Sequence, residues 1–318
     1  MTYYNRVFDQ KQYLSVNQRA AKYYLERGKS AVIPLIQTDV PDAKQYLHPV
    51  FAEATGVTGG LEWSEQGRKM NVRTNWETYE LPRIQGLIQI RNQDIQNFGN
   101  QLIADKHDAE IAELVYEVDK AAFHGAKNDQ GLQLQEGILG QLTCLVNQTS
   151  AGGFSLATKG EIWHVIKEFI EDIPYAMREE GPDMIMWVNE AIIAEAQAPD
   201  RIYQDKVEWD FIYDQFIGPK AVHGRKIGQV IITNLINAEA ADDTNGNNAD
   251  TVDTLGTHGR ILICVPDKRW AGRVVSRGFS LVGEERHMLS VDQLYGTRGR
   301  ALALDANAWN YSEGLIFT

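Results

Sequence analysis

The stretch "DKAAFHGAKNDQGLQLQEGILG", Asp119–Gly140, decides how this chain is read. It holds the last turn of a helix, a glycine stop at Gly125, and a loop studded with glycine and leucine, Leu132 and Leu134 among them. It carries no nucleophile beside a base, no metal-ligand spacing and no phosphate-cradling loop. A long decorated loop without chemistry has to be explained by what it touches.

Upstream, Ile111, Leu114, Val115, Val118 and Ala122 fall at i, i+3, i+4, i+7 and i+11. That spacing predicts one amphipathic helix from about Gln93 to His124. Asp108, Glu110, Glu113, Glu117 and Asp119 lie mostly off the stripe. Before the helix, Gly56–Gly86 reads as a long two-stranded excursion with its tip around Ser64–Lys69. It carries Trp63, Arg68, Lys69, Arg73 and Trp76 and has little apolar face of its own. An isolated two-stranded ribbon is marginal in water, so this one requires a partner outside the chain. The first residues read as an arm: a helix opened by a Ser15-x-x-Gln18 capping box and closed by Gly28. The chain between Ala31 and Phe51 carries three prolines and is expected to run extended over a surface.

Downstream, "TSAGGFS" marks a joint, and Thr158-x-x-Glu161 opens a helix carrying Ile162, Ile166, Phe169, Ile170 and Ile173. "GPDMIMWVNEAIIAEAQAP" predicts a turn, a buried strand, an Asn189 cap and a short helix. Strands follow near "GQVIITNLI", "GRILICV", "GRVVSRGFSLV" and "RALALDANAW", with a polar loop around Asp242, Asp243 and Asn245 between the first two. The class is α+β.

The chain has 318 residues, room for roughly two domains. Its 31 basic and 43 acidic residues give a formal charge of −12, which argues against gripping nucleic acid through many phosphate contacts. Two cysteines, Cys144 and Cys264, exclude a disulfide framework and a zinc ribbon, and predict buried reduced thiols. Neither a signal core nor a membrane-length apolar run is present, so a soluble, unexported chain is expected.

Chemistry is hard to place. "RGKS", Arg27–Ser30, lacks the first glycine of a phosphate loop, because Tyr23 stands there, and reads as a helix C-terminus. "DDTNGNN" lacks the first and last ligands of a calcium loop. Seven histidines are scattered without metal-ligand spacing. No catalytic residue, cofactor or metal is assigned.

The order of parts has a recognisable counterpart. Polar arm, β-excursion, long helix ending "AAFHG" with the "EGILG" loop after it, capped helix, polar tip loop and the closing run from Arg298 together resemble the major capsid proteins of tailed viruses, the Hong Kong 97 fold. The helix-end signature of that family is matched by Asp119, Ala121, Ala122, Phe123 and Gly125. The resemblance implies an arm over 1–55, an extended loop over 56–86 lying on an adjacent subunit, a peripheral domain with a spine helix over 87–154, an axial domain over 155–297, and a C-terminal strand over 298–318 returning to the peripheral domain.

Subunit contacts are implied for Trp63, Arg68, Lys69, Arg73, Trp76, Gly125, Leu132, Leu134, Asp242, Asp243, Asn245 and Arg298, the acidic loop lying near the five-fold and six-fold axes. Lys69 is the candidate on this side for the Lys–Asn isopeptide bond that some members form. The implied partners are copies of the chain in pentamers and hexamers, and double-stranded DNA held without sequence-specific contact. Scaffolding, portal and decoration proteins are implied as well, in a virion assembled in a host cytoplasm with no membrane. An encapsulin-like cellular compartment, which shares the fold, is the closest alternative. An enzyme with a dispersed site around His258, Asp267 and His287 is the third reading.

Overall fold

The computed structural model describes residues 10–55, 71–126, 135–142, 161–199, 202–203, 205–237, 259–287 and 290–315. Helix α1 (Gln10–Arg27) leads to the short strand β1 (Leu35–Gln37). Strands β2 (Gln45–Thr55) and β3 (Asn71–Glu80) pair as an antiparallel ribbon. Strand β4 (Arg83–Arg91) runs directly into α2 (Asn92–His124), a 33-residue helix. After α3 (Ile138–Gln141) come α4 (Glu161–Asp172), α5 (Tyr175–Glu180), β5 (Met184–Val188) and α6 (Glu190–Ala196). The two-residue strands β6 (Ile202–Tyr203) and β7 (Lys206–Val207) precede α7 (Glu208–Ile212), which widens into a π-helical turn over Tyr213–Ile217. Strands β8 (Ile227–Ile232), β9 (Gly259–Cys264), β10 (Ala271–Arg286), β11 (Ser290–Ala303) and β12 (Trp309–Leu315) complete the order.

Two four-stranded sheets organise these elements, in the orders β1-β10-β11-β4 and β12-β9-β5-β8. In the first, α2 lies on the sheet through Ile111 and Leu114 against Ile88, Ile90 and Tyr295, and Ala20 of α1 joins the same cluster. In the second, β5 is buried at all five positions, as a central strand covered on both faces should be. Ile162, Ile166, Phe169, Ile170 and Ile173 turn one face of α4 onto that sheet and are essentially solvent-free. Each such side chain contributes roughly 1.5–3 kcal/mol by leaving water. A further cluster joins the two sheets: Phe123 at the end of α2, Ile138, Trp187 of β5, Leu262 and Trp309.

The structure corrects the sequence reading in three places. The helix of the arm begins by Gln10, so Ser15 lies inside it and caps nothing. The ribbon's first strand is Gln45–Thr55, upstream of the expected Gly56 boundary. Pro49 sits within it opposite Trp76; a proline is tolerated because both strands of a two-stranded ribbon are edges. The strands after residue 264 divide between the sheets: β10 and β11 join β4 beneath α2, whereas β12 pairs with β9, so the chain's last strand sits with the α4 sheet. Asp119, which lies off the apolar stripe of α2, is nonetheless buried at 2% exposure. The Thr158 cap, Cys144 and the loop around Asp242 lie outside the described residues.

Candidate subunit interface

The helix end is a junction. Gly125 takes φ 93°, ψ 174°, with its N–H donating to the Ala121 carbonyl. This is a mirror-extended conformation, not the expected left-handed helical one, and it is open essentially to glycine alone. The loop returns at Gly137, where a Cβ would lie 2.2 Å from the Phe123 carbonyl oxygen and 2.4 Å from the Gly125 nitrogen. Two glycines therefore let two backbones touch. Ile138 is fully buried just beyond, and the Gln135 N–H donates to Ala126 O at 3.2 Å. The Phe123 ring meets Trp187 edge-on at 6.0 Å, and Trp187 stacks on Trp309 at 6.2 Å.

Asp119 holds the arm to this junction. Its carboxylate accepts hydrogen bonds from Lys29 N at 2.7 Å, Ser30 N at 2.9 Å and Ser30 Oγ at 2.6 Å. Trp187 Nε1 donates to the Lys29 carbonyl at 2.9 Å, and the Tyr24 hydroxyl pairs with Ser30 Oγ at 2.6 Å. Burial raises the Asp119 carboxyl above its ordinary 3.8, opposed by the bonds from Ser30 and Lys29. Burial also pushes Tyr24 up to about 12, with the Arg273 guanidinium over its ring opposing the shift. Arg27–Ser30 is thus a docked turn, and the acidic residue of the helix-end signature is its receptor.

The ribbon is the unpartnered part. Pairing of Leu47 with Thr78 and of Pro49 with Trp76 puts Leu47, Trp76 and Thr78 on one face. Leu47 is 57% and Trp76 62% exposed. The opposite face, through Tyr46 and Tyr79, is anchored on Leu81, Val274 and Leu302. Among the described residues no third strand joins β2 and β3. A large exposed aromatic beside an exposed leucine makes this face the candidate interaction surface.

Charge gathers at the ribbon's foot. Asp42, at φ 58° in the turn between β1 and β2, faces three guanidinium groups. Arg83 Nη2 lies 3.2 Å from Oδ2, Arg277 Nη1 3.8 Å from Oδ2, and Arg298 Nε 3.1 Å from Oδ1. The Asp42 N–H donates to Ser276 O, and Ser276 Oγ donates to Ala43 O. Arg298, expected at a subunit contact, is 9% exposed, pairs with Asp42 and lines the groove beside the ribbon's foot.

Of the other expected contact residues, Trp76 is on the exposed ribbon face, Gly125 is at the helix end, and Arg73 stands on β3 opposite Ala52. Trp63, Arg68, Lys69, Leu132, Leu134, Asp242, Asp243 and Asn245 lie outside the described residues. Reading the sequence missed Asp42, Asp119 and Leu47. The signal available for Asp119 was its place in the helix-end signature.

No catalytic constellation appears among the described residues. No cluster of three metal-ligating side chains occurs there, and no described helix is long and apolar enough to cross a membrane. Asp267 precedes the 16-residue β10 and His287 follows it, so the strand holds them at opposite ends. Asp267 pairs with Arg269, and His287 with Asp292. The dispersed enzyme site is not assembled from these two, and His258 is outside the described residues.

The fold is that of viral and virus-like capsid proteins. The chain is similar to the virus-like particle protein of Pyrococcus furiosus, with a TM-score of 0.56 at 11% identity, over 95% of this chain and all of that one. It is similar to the capsid protein of Myoviridae phage XM1, with a TM-score of 0.56 at 12% identity, over 99% and 95% of the two chains. The SrpI encapsulin of Synechococcus elongatus PCC 7942 superposes with a TM-score of 0.50 at 10% identity, over 99% and 93%. No protein-family model matches the sequence, and no curated protein does.

Proposed function

We propose that this chain is the major capsid protein of a tailed virus, a structural subunit that assembles with copies of itself into an icosahedral shell around double-stranded DNA. The observation that carries the reading is the end-to-end likeness to capsid subunits: 94–99% of this chain aligns with the phage XM1, gene-transfer-agent and P4 procapsid proteins at TM-scores of 0.51–0.56. The ribbon's open face supports it independently, because Leu47 and Trp76 stand exposed beside each other among the described residues.

The work is geometric. A neighbour seated on the ribbon buries an apolar face, and a stable interface of this kind removes more than about 1,000 Å² from water. The chain's charge of −12 suits a wall along which packaged DNA slides without being held. In this reading the acidic loop containing Asp242, Asp243 and Asn245 meets its copies at the five-fold and six-fold axes, and the loop over residues 129–140 meets neighbours near the local three-fold. Scaffolding, portal and decoration proteins are the accessory partners.

The encapsulin likeness makes a cellular shell the second reading, and the contents separate the two. Particles purified from an expressing host are treated with nuclease, and what remains inside is analysed. Protected double-stranded DNA, or shells that fill with it when the packaging components are supplied, supports the viral reading. A stoichiometric protein cargo with no nucleic acid overturns it.

A further inference from the structure

The three arginines gathered on Asp42 carry more positive charge than one carboxylate neutralises. Arg83, Arg277 and Arg298 against Asp42 leave a local charge of +2 in a chain whose net charge is −12. Arg298 is 9% exposed. Its Nε lies 3.1 Å from Asp42 Oδ1 but is not aligned to donate to it, and makes no hydrogen bond. Arg83 and Arg298 open on a groove of about 1,040 Å³ between the ribbon's foot and α2, where Lys44 and Lys120 are matched by Glu80 and Glu117. The surplus in the groove is therefore that of the arginines. A guanidinium drawn out of water is costly unless its donors are met, and the partner matching its planar fork is a bidentate oxyanion.

We infer that Arg83 and Arg298, which line this groove, form an oxyanion site that receives a carboxylate from a second copy of this chain on assembly. Arg277 stands behind them and adds charge, while its Nε and Nη2 donate to Ser280 Oγ and the Leu281 carbonyl. The inference rests on the shell reading above and names a partner for one of its contacts. Phosphate offers the same chemistry, but two observations favour a protein carboxylate. The groove is far larger than a single ion and admits a chain segment, and each copy brings 43 acidic residues. Asp42 then orients the guanidinium groups in the free subunit and competes with the incoming group.

That competition gives the test. Asp42→Asn preserves the turn, since asparagine tolerates the positive φ there, while raising the local charge to +3. Arg298→Gln lowers it, and Arg83→Gln does so at a more exposed position should the first variant fold poorly. The subunit concentration needed for shell formation is measured by light scattering. It should rise by about tenfold or more in the arginine variants, the loss of one charged hydrogen bond, and fall in Asp42→Asn. Calorimetry with inorganic phosphate on dissociated subunits should show binding that Asp42→Asn tightens and Arg298→Gln weakens, with phosphate inhibiting assembly.

Loss of assembly in Asp42→Asn as well would make the cluster an internal clamp and overturn the inference. Phosphate promoting wild-type assembly would assign the site to a free anion and overturn the carboxylate. If the wild-type chain forms no shells, the shell reading fails, and phosphate calorimetry alone decides the site: binding weakened by Arg298→Gln supports it, and no binding overturns it.

Discussion

The Asp119 carboxylate accepts the Ser30 hydroxyl at 2.6 Å and the Ser30 N–H at 2.9 Å across 89 residues of sequence. With the bond from Lys29 N, one side chain of α2 satisfies three donors of the arm. This contact joins the arm, the long helix and, through Trp187, the second sheet.

Asp119→Ala should therefore be severe. It strands one buried and one half-buried backbone donor and a buried hydroxyl, at a cost of about 2–4 kcal/mol. Ser30→Ala, which removes one of the three bonds, should cost about 1 kcal/mol. Thermal denaturation ranks the pair, and limited proteolysis reports whether α1 is released. Equal losses in the two variants would refute the assignment of Asp119 as receptor.

His107 should make the folded chain sensitive to acid. It is 1% exposed, and its ring meets Tyr295 edge-on at 5.5 Å. Burial pulls it down to about 4, helped by the Arg19 charge and opposed by Asp108. A folded value below the unfolded 6.5 means the contribution is full above pH 6.5 and is lost as pH falls through 4, by up to about 3 kcal/mol. Asp119 works the other way: its raised carboxyl stabilises the fold as pH falls from its folded value toward 3.8. Denaturant melts at pH 7 and pH 4.5 should show the loss in the wild type and a smaller one in His107→Phe.

The return of the loop onto the helix depends on Gly137. A Cβ there collides with the Phe123 and Gly125 backbone, so Gly137→Ala should destabilise by about 3 kcal/mol or more. Gly125→Val, at φ 93°, should cost about 1–3 kcal/mol and redirect the loop. Melting and assembly assays check both. An unchanged melting temperature in Gly137→Ala would show that the contact is not made.

Much of this was legible in the sequence, and what was missed had physical causes. The stripe from Ile111 to Ala122 located α2, and Asn189 was recognisable as a cap from its place before a short helix, where its Oδ1 accepts the Ile192 N–H; that the same side chain also accepts from Arg260 N and donates to Asn237 was not. Periodicity could only place Asp119 off the apolar stripe, because it counts a carboxylate as polar whatever donors another segment brings to it. The ribbon's first strand was hidden by Pro49, a residue that excludes a central strand but not an edge. Asp42 could not be found at all, since its three arginines come from β4, β10 and β11. Leu47 and Trp76 became adjacent only once the register was known.

The ribbon face should matter to assembly and not to folding. Leu47→Ser with Trp76→Ser removes only exposed side chains, so the subunit's stability should change by less than about 0.5 kcal/mol. Shell formation should be lost. Hydrogen exchange should show β2 and β3 exchanging faster in the dissociated subunit than in particles. Equal, full protection in both states would mean that the ribbon needs no neighbour.

The central claim, that this chain is a shell subunit, is tested most directly by electron cryomicroscopy of the purified full-length protein. The account predicts closed particles of uniform diameter with icosahedral symmetry, in which the Leu47–Trp76 face of each ribbon lies against an adjacent subunit. A homogeneous population of 35.8 kDa monomers at concentrations and salt conditions permissive for assembly, with the ribbon face open to solvent, would contradict it.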